Sequence, residues 1–235
     1  MTGTIVNVAA VAVGSGLGLI LGKRLPDKVH EITLQAVGAV TLLIGIQMAQ
    51  AATTGPQLIT VLLSLAGGSV LGEMLGIEEW IDRLGRSLEE RFGSGRQGNF
   101  TRAFITASLL FCVGPMTILG SIQDGLNGDP TLLLTKSTLD GVSAVALSAA
   151  LGIGTLFSTF TIIVYQGGLT LLAGFARELM NPLVVQLMTS VGGLMIICLG
   201  VNIWQLTRLR VANMLPALLV VILLVYAAGW LGLAL

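Results

Sequence analysis

Charge is what this 235-residue sequence has least of. Only 10% of its residues are Asp, Glu, Lys or Arg, against about 25% in an ordinary soluble domain. The twelve basic and twelve acidic residues cancel, so there is no basic footprint for nucleic acid, and no nucleic-acid partner is expected. Histidine is nearly absent. His30 stands alone, which excludes a His-rich metal site and argues against histidine-based catalysis. The two cysteines, Cys112 and Cys198, lie inside apolar runs. They are too few for a disulfide framework, and no Cys/His cluster with zinc spacing exists. No nucleophile–base pair, phosphate-binding glycine loop or nucleotide motif is present. Gly125-Leu-Asn-Gly-Asp129 has the wrong spacing for the Gly-x-Gly-Asp of intramembrane aspartyl proteases. The expectation is a protein that is not an enzyme and that needs no cofactor.

Apolar residues are abundant. Hydrophobic residues make up 54% of the chain, and its mean hydropathy is +0.92. A membrane-spanning helix needs about 20 mostly apolar residues. Eight stretches qualify, at 4–22, 32–52, 57–75, 103–121, 132–151, 154–175, 183–205 and 212–234. The chain therefore reads as an all-α, polytopic membrane protein with about eight transmembrane helices. The first run follows no basic region and ends without a cleavage site, so it is expected to be a span, not a cleavable signal peptide.

Basic residues set the orientation. Lys23, Arg24 and Lys28 follow the first stretch; Arg83, Arg86, Arg91, Arg96 and Arg102 follow the third; Arg208 and Arg210 follow the seventh. With eight crossings these loops share one side, which the positive-inside rule makes cytoplasmic. Both termini are then expected outside, in a plasma-membrane protein. Between the third and fourth stretches, apolar residues from Ile77 to Phe92 recur at three- and four-residue spacing among acids and arginines. That pattern predicts an amphipathic helix at the membrane surface, a surface on which a partner protein can also dock.

Stretches 1–3 and 6–8 resemble each other. Gly3-Thr-Ile-Val-Asn7 pairs with Gly154-Thr-Leu-Phe-Ser158, and Ser15-Gly16 with Gln166-Gly167 at the same offset. Gly38 and Gly45 pair with Gly193 and Gly200, Gln47 with Asn202, and Pro56 with Pro216. An odd number of crossings separates the units, so they would insert upside down relative to each other, the build of many secondary transporters. The chain divides accordingly into a first three-helix repeat (1–76), a cytoplasmic amphipathic helix and linker (77–102), a central polar hairpin (103–152) and a second three-helix repeat (153–235). Small-residue stripes run along two helices, Ala10-Gly14-Gly18-Gly22 and Ser64-Gly68-Gly72-Gly76. They suit either close packing within the chain or a homo-oligomer interface.

The hairpin carries the anomaly. Lys136 and Asp140 stand at i,i+4 within an apolar stretch, and a charge at the bilayer centre costs about 2.5–3.5 kcal/mol on insertion scales. They should face the bundle or a watery cavity, and their spacing lets them pair with each other. Gln123 and Asp124 flank them, with Asp124 within reach of Lys136 across the hairpin, while Asp124 to Pro130 reads as a solvated outer loop. Gly114-Pro115 predicts a kink, since proline removes a backbone hydrogen bond. The repeats add Asn7, Ser158 and Gln166. The candidate substrate-binding set is thus Asp140, Lys136, Gln123, Asp124, Gln166, Ser158 and Asn7, for a small solute or ion. The competing reading makes Lys136 and Asp140 a fold-fixing pair in a structural or regulatory membrane protein.

Several of these motifs carry a family likeness. Gly3-Thr-Ile-Val-Asn7, Leu21-Gly-Lys-Arg-Leu-Pro26, Gly120-Ser-Ile-Gln-Asp-Gly125, Gly128-Asp129, Lys136-Ser137, Leu139-Asp-Gly141, Phe157-Ser158 and Tyr165-Gln-Gly167 resemble the YqgA/YdfK family of bacterial inner-membrane proteins over essentially the whole chain. The resemblance implies a bacterial plasma-membrane protein of this topology. It supplies no substrate and no catalytic residues, because the family is a domain of unknown function.

Overall fold

A computed structural model describes residues 1–22, 26–83 and 100–232. These residues form helices and turns, with no strand among them. In chain order the helices are α1 (Thr2–Gly22), α2 (Asp27–Ala49), α3 (Gly55–Leu75), α4 (77–83), α5 (Phe100–Cys112), α6 (Pro115–Asn127), α7 (Thr131–Leu151), α8 (Gly154–Leu171), α9 (Ala173–Leu179), α10 (Pro182–Ile203) and α11 (Ala217–Trp230). A 3-10 turn at Val211–Met214 leads into α11. The remainder of the expected amphipathic helix, 84–92, lies outside the described residues.

By length and composition five helical stretches are able to cross a membrane, or seven if two bent pairs each count as one span. The first pair is α5 with α6, bent by 57°, and the second α8 with α9, bent by 78°. The one expected stretch left out of that count, 132–151, corresponds to α7. It is as long as α1, at 21 residues, but Lys136, Asp140 and its hydroxyl residues make it too polar to qualify on hydropathy.

The break between α5 and α6 has a local cause. Pro115 has no N–H to give to the carbonyl of Phe111, four residues earlier. Thr117 Oγ1 donates to that carbonyl instead, at 3.0 Å, while Gly114 is extended (φ −171°, ψ 154°). The two pieces still traverse the bundle together. A methyl on Gly154, at the start of α8, would strike Phe100 at the start of α5. One on Gly125, near the end of α6, would strike Thr170 near the end of α8. α5–α6 thus follows α8 along its whole length, about 24 Å at 1.5 Å per residue. The two pieces therefore run the same course as α8.

Close approach at glycine fixes the neighbours. Methyl groups at Gly14, Gly18 and Gly22 would run into the carbonyl oxygens of Gly141, Val145 and Ala149 in turn, so α1 lies parallel to α7 with backbones touching. Gly68 and Gly72 meet Ala217 and Asn213, which makes α3 antiparallel to α11. Both small-residue stripes are therefore used inside the chain. α2 and α10 also run antiparallel, with Gly45 against Ile197 and Gly200 against Leu42. α8 is antiparallel to α1.

These directions bring the C-terminal ends of α1, α3 and α10 to one end of the bundle. Trp204 Nε1 donates to the Gln35 carbonyl at 3.0 Å. Arg208 reaches Asp82 at 3.4 Å and Glu78 at 3.8 Å, and Arg210 pairs with Glu73. Asn213 ties the same corner together, donating to Glu73 Oε2 at 2.7 Å and accepting the Glu78 N–H at 2.8 Å. At the opposite end Tyr226 donates to the carbonyls of Glu178 and Leu179. Exposed leucines, isoleucines and valines cover α1, α3 and α11, as expected of faces turned to lipid.

Candidate functional site

The site is built where α1, α7 and α8 meet. Helical spacing places Lys136 and Asp140 one turn apart on α7. Their side chains, 7% and 10% exposed, form an ion pair inside the bundle. The pair does not stand alone. Asn7 Nδ2 on α1 donates to Asp140 Oδ2 at 3.0 Å and to Gln166 Oε1 on α8 at 2.9 Å. Gln166 Nε2 donates to Thr4 Oγ1 at 3.2 Å. Thr170 spends its proton on the Gln166 carbonyl at 2.9 Å, so across the 3.2 Å Thr4–Thr170 contact Thr4 is the donor. A continuous polar chain therefore runs from Lys136 through Asp140, Asn7, Gln166 and Thr4 to Thr170. Asn7 Oδ1 and the nearby Tyr165 hydroxyl are buried without a hydrogen-bond partner.

Four of the seven candidates, Asp140, Lys136, Gln166 and Asn7, come together here. Asp124 does not reach Lys136. The expected solvated loop begins later, because α6 continues to Asn127 and ends at Gly128 in the left-handed conformation (φ 67°). Asp124 is therefore inside a helix and buried. Its Oδ2 accepts the Gly3 N–H at 3.1 Å and lies 3.0 Å from the Met1 ammonium. An acceptor at the first turn of α1, with a negative charge at the positive end of the helix, satisfies a donor the helix leaves open. Gln123 is exposed on α6. Ser158 is buried but lies two turns from Gln166, donating to its own helix at the Thr155 carbonyl (2.7 Å). Of the two acids in the expected loop only Asp129 is solvated. Its Oδ1 accepts from the Thr131 N–H and hydroxyl, and these bonds hold its carboxyl below the usual carboxylate range.

Thr4 and Thr170 were not among the candidates. Thr4 sits inside the Gly3-Thr-Ile-Val-Asn7 motif, and that position was the available signal. Among the described residues no three His, Cys, Asp or Glu side chains gather as a metal centre. Chemically, the arrangement is a carboxylate held by one ammonium and one amide inside an apolar bundle. A proton or a small cation at Asp140 would change its charge balance by one unit.

Long apolar helices enclosing a buried, hydrogen-bonded ion pair define a polytopic helical membrane protein. The chain belongs to the family described as "Protein of unknown function (DUF554)", whose model matches residues 2–226. It is 31% identical over 233 residues to the "Uncharacterized membrane protein YdfK" of Bacillus subtilis (strain 168), covering 97% of this chain and 99% of that one. It is 28% identical over 232 residues to the "Uncharacterized protein YqgA" of Escherichia coli (strain K12), covering 97% of each. The likeness expected from the motifs is thus borne out. No solved structure matches the chain.

Proposed function

We propose that the protein carries a small solute or ion across the bacterial plasma membrane, with Asn7, Lys136, Asp140 and Gln166 at the site. One observation carries the reading. An ion pair sealed among three helices is expensive to bury, and it forms part of a polar chain that continues to Thr170. Ionisable groups at membrane depth mark pathways more often than they serve packing.

The inverted repeat supports the same reading. Gly38 to Gly193 and Gly45 to Gly200 are both steps of 155 positions. The same step takes Leu42 to Ile197. Gly45 packs on Ile197 and Gly200 on Leu42, so the contact repeats itself when the two helices are exchanged. α1 and α3 likewise pack on their proposed mates α8 and α11. With eight crossings, the three loops that carry ten of the twelve basic residues in the sequence share one side, which puts that side in the cytoplasm and both termini outside. The reading makes the protein a carrier and not an enzyme. A homo-oligomer belongs to the proposal too, but its interface must use faces other than the two glycine stripes.

The test is flux in proteoliposomes, using a pH-sensitive dye and radiolabelled sodium, potassium and chloride as probes. Wild type should move at least one of them, and Asp140→Asn should abolish that movement. No flux of any probe by folded wild type would sink the proposal.

A further inference from the structure

The hydrogen-bond chain at Asp140 has one set of directions, and the same heavy atoms fit the opposite set. Asn7 Nδ2 gives one hydrogen to Asp140 Oδ2 and the other to Gln166 Oε1. Gln166 Nε2 donates to Thr4 Oγ1. This set suits a charged Asp140, which can only accept. A half-turn of both amides exchanges an oxygen for an NH2 group of nearly the same shape. Asn7 Oδ1 then stands where Nδ2 stood, accepting from a protonated Asp140 and from Gln166 Nε2. Gln166 Oε1 in turn accepts from the Thr4 hydroxyl. The contacts of 3.0, 2.9 and 3.2 Å are all kept, with donors and acceptors exchanged. Asn7 Oδ1 has no partner now, so the turn gives up no bond on that side. The NH2 that replaces it there gains no acceptor either, which makes the charged set the resting one.

Space and charge select the ligand. α1 touches α7 through Gly14, Gly18 and Gly22, and Asn7 and Gln166 are fully buried. A metal cation at Asp140 would have to share it with the Lys136 ammonium, and the amide beside it presents N–H where a cation needs oxygen. A proton has no volume to accommodate. Asp140 and Lys136 keep 10% and 7% of their side-chain surface exposed, whereas Asn7 and Gln166 keep none, so the pair is the edge at which a proton arrives. Lys136 and Asn7 both bond Oδ2, and among the described residues nothing donates to Oδ1. Oδ1 is therefore free to take the ammonium when Oδ2 is protonated. The other titratable side chains facing this point are Cys112 on α5 and, beside it, Tyr165 on α8. Neither a thiol nor a phenol is ordinarily charged at neutral pH. Asp124 on α6 is turned to Gly3, and α2 has no ionisable residue after Glu31.

We propose that the ion this carrier moves is the proton, bound at Asp140 Oδ2 beside Lys136, with the amides of Asn7 and Gln166 turning to accept it. A hydronium gives its proton to Oδ2, an O–H bond forms, and water leaves. The pair goes from neutral to one positive charge, and release reverses the step. The inference rests on the carrier reading and names its ion.

The test is infrared difference spectroscopy of the full-length protein in proteoliposomes across an acid step. Wild type should show a protonated-carboxyl band together with changes in the side-chain amide bands. Asp140→Asn should lose both, and Asp140→Glu, which keeps a carboxyl, should bring a carboxyl band back at a shifted frequency. Matching difference spectra from wild type and Asp140→Asn overturn the proposal. In wild type alone, carboxyl bands that appear with no amide change overturn it too. Flux separates the two readings. Movement of sodium, potassium or chloride without protons overturns this inference and leaves the carrier standing. No flux of any probe fails the carrier reading, and the infrared bands then judge proton binding at Asp140 by themselves.

Discussion

Asn7 lies 133 positions from Asp140, and its amide holds that carboxylate at 3.0 Å. The same nitrogen bonds Gln166, so one side chain joins α1, α7 and α8. Replacing Asn7 with Ala should cost about 1–3 kcal/mol, the penalty for a buried group that loses a partner. Asn7→Asp should be worse, since it sets a second carboxylate against Asp140. Thermal unfolding in detergent checks both, and equal melting of Asp and Ala variants would contradict the assignment.

Breaking the ion pair one partner at a time should be more damaging. Lys136→Met or Asp140→Leu leaves an uncompensated buried charge, a loss of about 3–5 kcal/mol. The exchanged pair Lys136→Asp with Asp140→Lys should recover much of that stability, because the i,i+4 geometry is kept. It should not recover flux, because Asn7 would then face an ammonium with its N–H groups. Full activity in the exchanged protein would show the pair to be a structural clasp.

Two glycines on one helix should behave oppositely. Gly14→Leu drives a side chain into the Gly141 carbonyl and separates α1 from α7, whereas a methyl at Gly16 meets nothing within 4 Å. Gly16→Ala should be stabilising, by up to about 1 kcal/mol, through reduced freedom of the unfolded chain. Expression and melting temperature of the two variants check the contrast.

Glu78 ties the stability of the fold to pH. Burial first, and then Asp82, push its carboxyl above the usual 4.5, against the pull of Arg208 and Arg210. The folded state therefore holds this proton more tightly than the unfolded state. The stabilisation is fully present below 4.5 and is lost as pH rises through the raised value. Glu78→Gln should remove that slope. Melting curves from about pH 4 to pH 7 should fall less steeply for the variant than for wild type.

Much of this architecture is legible in the chain. The expected stretches 4–22, 57–75 and 183–205 match α1, α3 and α10 to within a few residues, because long apolar runs need no context to be recognised as spans. The break at Gly114-Pro115 is equally local, set by a missing N–H. The end of α6 is not. Gly120-Ser-Ile-Gln-Asp-Gly125 is too polar to continue a lipid-facing helix, and it is helical because its buried face packs on α8 and receives the first turn of α1.

The sequence by itself determined the class of the protein, most of its long apolar helices, the i,i+4 pairing of Lys136 with Asp140 and the family. Each of these depends on residues close in the chain or on composition. Only the tertiary structure decided that Asn7 and Gln166 complete the charged layer and that Asp124 serves α1 instead of Lys136. It also decided that the glycine stripes are spent within one chain. Those outcomes depend on which helices are neighbours, and in a chain whose helices are almost all apolar, glycine-sized close approach and a few buried hydrogen bonds are what select them.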